Sequence, residues 1–290
     1  MSNDEAWTVL RLLSWTTEYL GKHGSDSPRL DAEVLLAQSL DCPRIELYTR
    51  FGEEPGEETK AAFRDLVRRR AEGMPVAYLV GHREFFSLDF QVTPDVLIPR
   101  PETEDLVVAA IDLAKGAQHN VTVCDVGTGS GIIAVSMAKQ LPGCRVTAVD
   151  ICGKALEVAK ANATTHGVCD QIEFLLGDLF APVPADRTFD LVLSNPPYVA
   201  DGETNQMAPE TLRFEPRGAL FAGPQGTEVI ERLVAAAPDR LEPGGHLLVE
   251  ISPMIHDAVR DIVQSSDQLV LGETIKDLAG HHRVVVAQRA

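Results

Sequence analysis

Apolar residues recur along this chain with two different periods, and the change between them falls near residue 85. Ahead of that point the spacing is helical: Val9, Leu12, Leu13 and Leu20 share one face. Ser27-Pro28 reads as an N-cap and first-turn pair for a second helix running through Leu40. A third periodic run, rich in Arg and Glu, covers Ala61 to Ala71, with Gly73 and Pro75 closing it. Residues 1–84 are therefore expected to form a helical domain. Phe86, Leu88, Phe90 and Val92 then alternate, which predicts a β-hairpin linker over 85–98. The proline-stiffened Leu97-Ile98-Pro99-Arg100-Pro101 introduces a helix over Glu102 to Ala114. Thr103 or Glu104 there could touch a ligand, and helix capping explains them equally well.

From residue 120 onward short β-branched runs alternate with helical ones, which predicts a parallel, doubly wound α/β sheet. Strands begin near Val121, Cys144, Gln171 and Phe189, and later ones cover His246–Ile251, Leu269–Ile275 and Arg283–Gln288. Residues 199–224 lack clear periodicity, and loops of that length are usually functional or disordered. They are read as a substrate-contacting flap.

The strand ends carry the chemistry. The first runs through Asp125 into Gly127-Thr128-Gly129-Ser130-Gly131 and then a helical pattern. The spacing is G-x-G-x-G, without the further glycine of a dinucleotide fingerprint or the Lys of a Walker loop. The second ends in Asp150, placed to bond ribose hydroxyls. The third ends in Gly177-Asp178-Leu179 and the fourth in Asn195-Pro196-Pro197-Tyr198. Asn offers a carbonyl acceptor and an amide donor, the prolines stiffen the turn, and Tyr supplies a flat face. The Asn195 oxygen and the Pro196 carbonyl suit the two N–H groups of a planar nitrogen, on a base or a carboxamide, with Tyr198 stacked on its plane. Asn-Pro is also a common turn opener.

With these residues in view, the chain resembles the class I S-adenosylmethionine-dependent methyltransferases. More narrowly, it resembles the release-factor glutamine N5-methyltransferase (PrmC/HemK) family. The narrower match rests on Arg29–Ala37, Gly73–Gly81, Leu97–Glu104, Glu215–Leu220 and Asp277–Val284. It implies a Rossmann-like domain over 99–290 with a mostly parallel seven-stranded sheet, behind a helical substrate-recognition domain. Its implied cofactor is S-adenosylmethionine, held by Asp125, the Gly127–Gly131 loop, Asp150, Asp178, Leu179 and Asn195, with no metal. Asn195, Pro196 and Tyr198 are the implied catalytic set. They and Pro197 are the implied substrate contacts. The implied substrate is the glutamine of the Gly-Gly-Gln motif in peptide chain release factors. Leu97 and Leu179 stand where the family often has an aromatic, and Ala222–Gly226 is less glycine- and acid-rich than usual there.

Composition then weighs the rivals. Lys plus Arg number 26 against 43 Asp plus Glu, a net charge of −17. Duplex-gripping enzymes carry a basic stripe, so this balance tilts away from adenine or cytosine amino-methylation of nucleic acid. The dense basic run Arg68-Arg69-Arg70 is read as a solvated helix face. A ribosomal protein as the glutamine-bearing substrate is the nearer rival. A non-catalytic scaffold has no need of the Asn-Pro-Pro-Tyr set. Five cysteines without a Cys-x-x-Cys pair read as reduced thiols. The acidic start lacks a signal peptide's features, and no apolar run approaches the ~20 residues of a membrane span. A cytoplasmic monomer is expected. His281-His282 is not read as a metal site, because consecutive strand residues point to opposite faces.

Overall fold

The computed structural model describes residues 6–290; the acidic start over 1–5 lies outside them. The chain divides into two compact units. One comprises residues up to His82 with Ala208–Phe214, the other Arg83–Met207 with Glu215–Ala290.

In the first unit, α1 (Val9–Lys22), α2 (Pro28–Ser39), α3 (Glu57–Ala71) and α4 (Val76–Val80) enclose a core that includes Leu13, Leu35, Leu36 and Phe63. Val9, Leu12, Leu13 and Leu20 form the buried face of α1. Ser27 makes no side-chain capping bond. Its neighbour Ser25 donates to Asp31 Oδ2 (2.8 Å) instead. α3 begins four residues before the expected Ala61, because Glu57 and Glu58 suit the positive end of the helix dipole. The basic run is not a solvated face throughout. Arg68 meets Asp65 and Glu72 on the surface, but Arg70 is largely buried between Asp31 (2.7 Å) and Glu210 (2.6 Å).

The second unit opens within a hairpin of β1 (His82–Phe85), whose first residue is counted with the first unit, and β2 (Leu88–Gln91). The hairpin thus lies upstream of the expected 85–98, and residues 92–98 are irregular. Its turn is Phe86-Ser87, both at positive φ (52° and 58°). This two-residue turn has neither Asn nor Gly and so carries no turn signal.

There follow α5 (Thr103–Ala114), β3 (Thr122–Val126), α6 (Ile132–Gln140), β4 (Arg145–Asp150) and α7 (Gly153–Thr165). Next come β5 (Ile172–Leu176), β6 (Phe189–Ser194), β7 (Val199–Ala200), α8 (Pro209–Phe214, counted with the first unit) and β8 (Phe221–Gly223). The chain ends with α9 (Glu228–Ala236), β9 (Leu241–Glu250), α10 (His256–Gln264), β10 (Leu269–Leu271), β11 (Ile275–Lys276) and β12 (His282–Arg289).

Among the described residues the main sheet has eight strands, not seven. Its order is β10-β12-β9-β6-β3-β4-β5, with β11 paired to β12 beside that path. The extra strand arises because the expected Leu269–Ile275 is broken. Leu271 faces Ala287 and Ile275 faces Val284, so four steps on one strand oppose three on the other. β9, β6, β3, β4 and β5 pair in parallel, while β12 runs antiparallel to β9. One apolar layer joins the sheet to α5 and α6, the other to α9 and α10. From β3 the chain winds outward through β4 to β5, then returns to place β6 on the other side of β3. Ligand crevices form at such reversals, outside the carboxyl ends of the strands.

The segment 199–224 is more ordered than a bare flap. β7 and β8 pair in parallel across it, with 3₁₀ turns at Thr204–Gln206 and Arg217–Ala219. Gly226 seals this feature: a Cβ there would lie 2.8 Å from the Tyr198 carbonyl oxygen.

Candidate active site

A cleft of about 450 Å³ opens at the carboxyl ends of β3, β4, β5 and β6. Four strand ends supply it because each apolar run stops there and hands over to glycine or a polar residue. Gly127, Thr128, Gly129, Ser130, Asp150, Asp178, Leu179, Asn195, Pro196 and Pro197 all line it.

The glycine loop has open space over it. Gly127 and Gly129 sit at φ 78° and 56°, which L side chains adopt only under strain, and nothing lies within 4 Å of where a Cβ would be. Gly131 serves packing instead; a Cβ there would lie 3.0 Å from Ala159 of α7, and the residue does not line the cleft. Ile132 and Ile133 do, so the positive end of α6 faces the cleft.

Asp125 is wholly buried and outside the cleft lining. Its Oδ2 accepts from the Thr128 hydroxyl (2.6 Å) and the Ala134 N–H (3.2 Å). It therefore orders the loop, and burial pushes its carboxyl up to about 7. Its Oδ1 is buried with no partner among the described residues. An orphaned acceptor beside an open glycine cradle fits a ligand bearing a cationic amine.

Asp150 is buried at the cleft wall. Its oxygens accept from the N–H groups of Gly129 (Oδ2, 2.8 Å) and Cys152 (Oδ1, 2.8 Å), which leaves each a further lone pair. Burial raises its carboxyl above the usual range. Asp178 is ion-paired with Arg232. Leu179, at φ 48°, turns the chain there, with Ala181 N–H closing onto the Asp178 carbonyl (3.0 Å). Gly177 is fixed by packing, since a Cβ would meet Pro182 Cδ at 2.7 Å.

At the fourth strand end, Ser194 anchors β6 by donating to the Val126 carbonyl (2.7 Å). Asn195 donates from Nδ2 to Thr103 Oγ1 (3.2 Å), which leaves its Oδ1 as an acceptor. Tyr198 departs from expectation. It does not line the cleft, and its ring packs against the apolar layer of α9 and α10. Burial pushes its hydroxyl up to about 12, so it stays neutral.

Sequence reasoning missed a set of supporting groups. Thr103 and Glu104 do not cap α5; Glu104 accepts from the Phe86 N–H of the hairpin turn (2.9 Å). Glu215 is buried and pairs with Arg100 (2.5 Å) while accepting from the Ile98 N–H (3.1 Å). That clamp holds the Ile98–Arg100 wall of the cleft to Pro216, Gly218 and Phe221, which line it too. A proline-framed Arg and a Glu-Pro-Arg turn were its only local signs.

Comparison with known proteins decides the family. The chain is 51% identical to the release factor glutamine methyltransferase of Rhodopirellula baltica over all of itself and 99% of that relative. It belongs to the release factor glutamine methyltransferase family. A second member, from Koribacter versatilis, is 41% identical over 97% of this chain and 99% of its own. The PrmC N-terminal domain model matches residues 11–81 and the methyltransferase small domain model matches 105–223. Among solved structures, the Thermus thermophilus 16S rRNA N2 G1207 methyltransferase, solved with AdoMet and guanosine, aligns at TM-score 0.52 and 16% identity. That alignment covers 72% of this chain and 50% of that one, and shares the fold.

Among the described residues no cluster of three or more His, Cys, Asp or Glu could hold a metal. His282 instead stacks on His256 (3.7 Å between ring centres). No helix among them is long and apolar enough to cross a membrane.

Proposed function

We propose that this chain transfers a methyl group from S-adenosylmethionine to the side-chain amide nitrogen of the glutamine in the Gly-Gly-Gln motif of peptide chain release factors. The observation that carries this reading is the Asn195-Pro196 turn, lining the cleft next to the glycine loop at the sheet's reversal, in a chain of this family.

The residues fit the cofactor. Gly127 and Gly129 leave room for its methionine end, with the positive end of α6 favouring the carboxylate. Asp125 Oδ1 has the unused capacity for an amine. Asp150 keeps lone pairs for ribose hydroxyls, and the Asp178–Leu179 turn borders the adenine position. Bound there, S-adenosylmethionine supplies an electrophilic methyl on its sulfonium.

A carboxamide nitrogen is a weak nucleophile because its lone pair is delocalised. Asn195 Oδ1 and the Pro196 carbonyl accept its two N–H bonds, hold the nitrogen in line and favour pyramidalisation. These contacts strengthen as the nitrogen gains positive character, so they act on the transition state. Tyr198, as a neutral phenol packed under the turn, stiffens it. No general base is required, since the nitrogen becomes acidic once methylated. An acidic chain of net charge −17 suits a protein substrate better than a nucleic-acid one. We read the protein as a cytoplasmic monomer that uses no metal.

The test is single-turnover methylation of purified release factor at saturating cofactor, with the product mapped by tandem mass spectrometry. The modified atom is expected to be the glutamine side-chain nitrogen. Asn195→Ala should lower the chemical rate by ~10²–10³ with little change in KM for release factor. A near-normal chemical rate with weakened substrate binding would make the turn a docking surface only.

A further inference from the structure

The segment Asp277–Val284, one of those on which the family resemblance rests, has no role in the chemistry proposed for the cleft. It folds as a tight turn between β11 and β12. One carboxylate builds that turn. Asp277 Oδ1 accepts from the N–H groups of Ala279 and His281 (2.9 Å each), and its Oδ2 accepts from Arg283 Nε (2.8 Å). Arg283 and the His281 N–H hold the Asp277 carboxyl below its usual range, so it stays ionised. The Asp277 N–H closes onto the His281 carbonyl and the Gly280 N–H onto the Asp277 carbonyl (2.9 Å each). Gly280 takes φ 85°, a conformation glycine adopts without strain. Arg283 Nη2 also reaches Glu102 Oε1 (3.8 Å), two residues after Arg100 of the cleft wall. At the tip of this fixed turn Leu278 is fully exposed.

Strand register places the turn. β12 runs antiparallel to β9 with Val284 opposite Glu250, and β9 runs parallel to β6 with Val249 opposite Ser194. The turn therefore leaves the sheet at the edge on which the cleft opens. β12 is the second neighbour of β6, which sets it about 10 Å across the sheet from the strand leading into Asn195, at the usual strand spacing. The 3₁₀ turn Pro253–Ile255 after β9 leaves by the same edge, and its Met254 is 60% exposed. The His256–His282 stack joins the two turns, and the Ile251 N–H pins them further by donating to the Arg283 carbonyl (2.8 Å).

We propose that Leu278, with Met254 on the neighbouring turn, is an apolar anchor that docks the folded release factor outside its Gly-Gly-Gln motif, by seating in an apolar pocket of that protein. A single exposed apolar side chain is ordinary on a protein surface. This one stands on a backbone already fixed by its own hydrogen bonds, so binding there costs little further ordering. The fold gains nothing from a leucine at that tip, since the turn is made by Asp277, Gly280 and Arg283. What covers it follows from the reaction. An interface of ordinary size takes about 800 Å² from each partner, a disc of roughly 16 Å radius. A protein that seats its glutamine at Asn195 covers a disc of that extent around it, and both turns fall inside. The inference rests on the reading that release factor is the substrate.

The test uses Leu278→Ser, Leu278→Met and Met254→Ser in the full-length protein. All three sites are exposed, so melting temperature and affinity for S-adenosylhomocysteine should match wild type. Leu278→Ser should raise KM for release factor about tenfold, the worth of burying much of a leucine side chain, with kcat within about twofold. Leu278→Met keeps an apolar anchor and should hold KM within about twofold, while Met254→Ser should raise it by a smaller factor than Leu278→Ser. Docking is also read apart from chemistry, by titrating release factor that carries alanine in place of the motif glutamine. Its Kd should weaken about tenfold with Leu278→Ser. A short Gly-Gly-Gln peptide reaches only the cleft, so its kcat/KM should be the same for wild type and Leu278→Ser.

The proposal is overturned if Leu278→Ser keeps both KM and Kd for release factor within about twofold of wild type. It is overturned equally if the loss falls on kcat, or if the peptide suffers as much as the whole protein. Wild-type protein that neither binds nor methylates release factor would overturn the substrate reading, and the docking proposal with it.

Discussion

Two acids buried behind the lining of this cleft are held in states that cost free energy. Asp125 and Glu250 are both buried acids pushed up to about 7. Their folded-state pKa values lie above those of the unfolded chain, so the folded state binds protons more tightly. Their stabilising effect is full below about pH 4, falls as pH rises, and is gone once pH passes about 7. Denaturant titrations at pH 5 and pH 8 should therefore give lower stability at pH 8, by on the order of a few kcal/mol. Asp125→Asn should remove part of that difference; an undiminished difference would assign it to other groups. Asp150 lines the cleft, where the proposed reading gives it a ligand-binding role. Backbone donors on both oxygens hold its carboxylate in place. Asp150→Ala should weaken S-adenosylhomocysteine binding by roughly 1–3 kcal/mol by calorimetry, and an unchanged dissociation constant would remove it from the site.

Elements position these residues, and their legibility followed how local their determinants were. β3, β4 and β6 were readable because each is a mostly apolar run closed by glycine or a polar residue, the pattern of a strand buried on both faces. The β1–β2 hairpin was misplaced because its turn depends on Phe86 and Ser87 tolerating positive φ, with Glu104 bonding the Phe86 N–H. The bond between Asn195 and Thr103 was invisible for a similar reason. Two residues far apart in the chain meet only when α5 packs beside the end of β6, and no local spacing records that. Tyr198 lies outside the cleft lining because an aromatic after a strand-end turn satisfies stacking and packing alike, and the neighbouring apolar layer decided between them. Gly177 shows an element-scale constraint that a motif disguises. Its Cβ would overlap the Pro182 ring, so Gly177→Ala should destabilise the protein by about 1–3 kcal/mol. Retained thermal stability with lost cofactor binding would instead make it a contact residue.

At the scale of the whole molecule, a reversal in strand order brings the glycine loop and the Asn195-Pro196 turn to adjacent strand ends. In the proposed reading, the electrophile and the acceptor nitrogen share that one cleft. The net charge of −17 works against phosphate-rich partners. The most direct measurement is a competition in which one extract offers every rival substrate at once. The protein is incubated with methyl-labelled S-adenosylmethionine and an extract, retaining both proteins and nucleic acid, from cells lacking this activity. The labelled species are then fractionated and mapped to the atom. The account predicts label on the glutamine side-chain nitrogen of the Gly-Gly-Gln motif in release factors, and none above background in nucleic acid. Label on adenine or cytosine amino groups, or on a glutamine of a ribosomal protein with release factors unmodified, would contradict it.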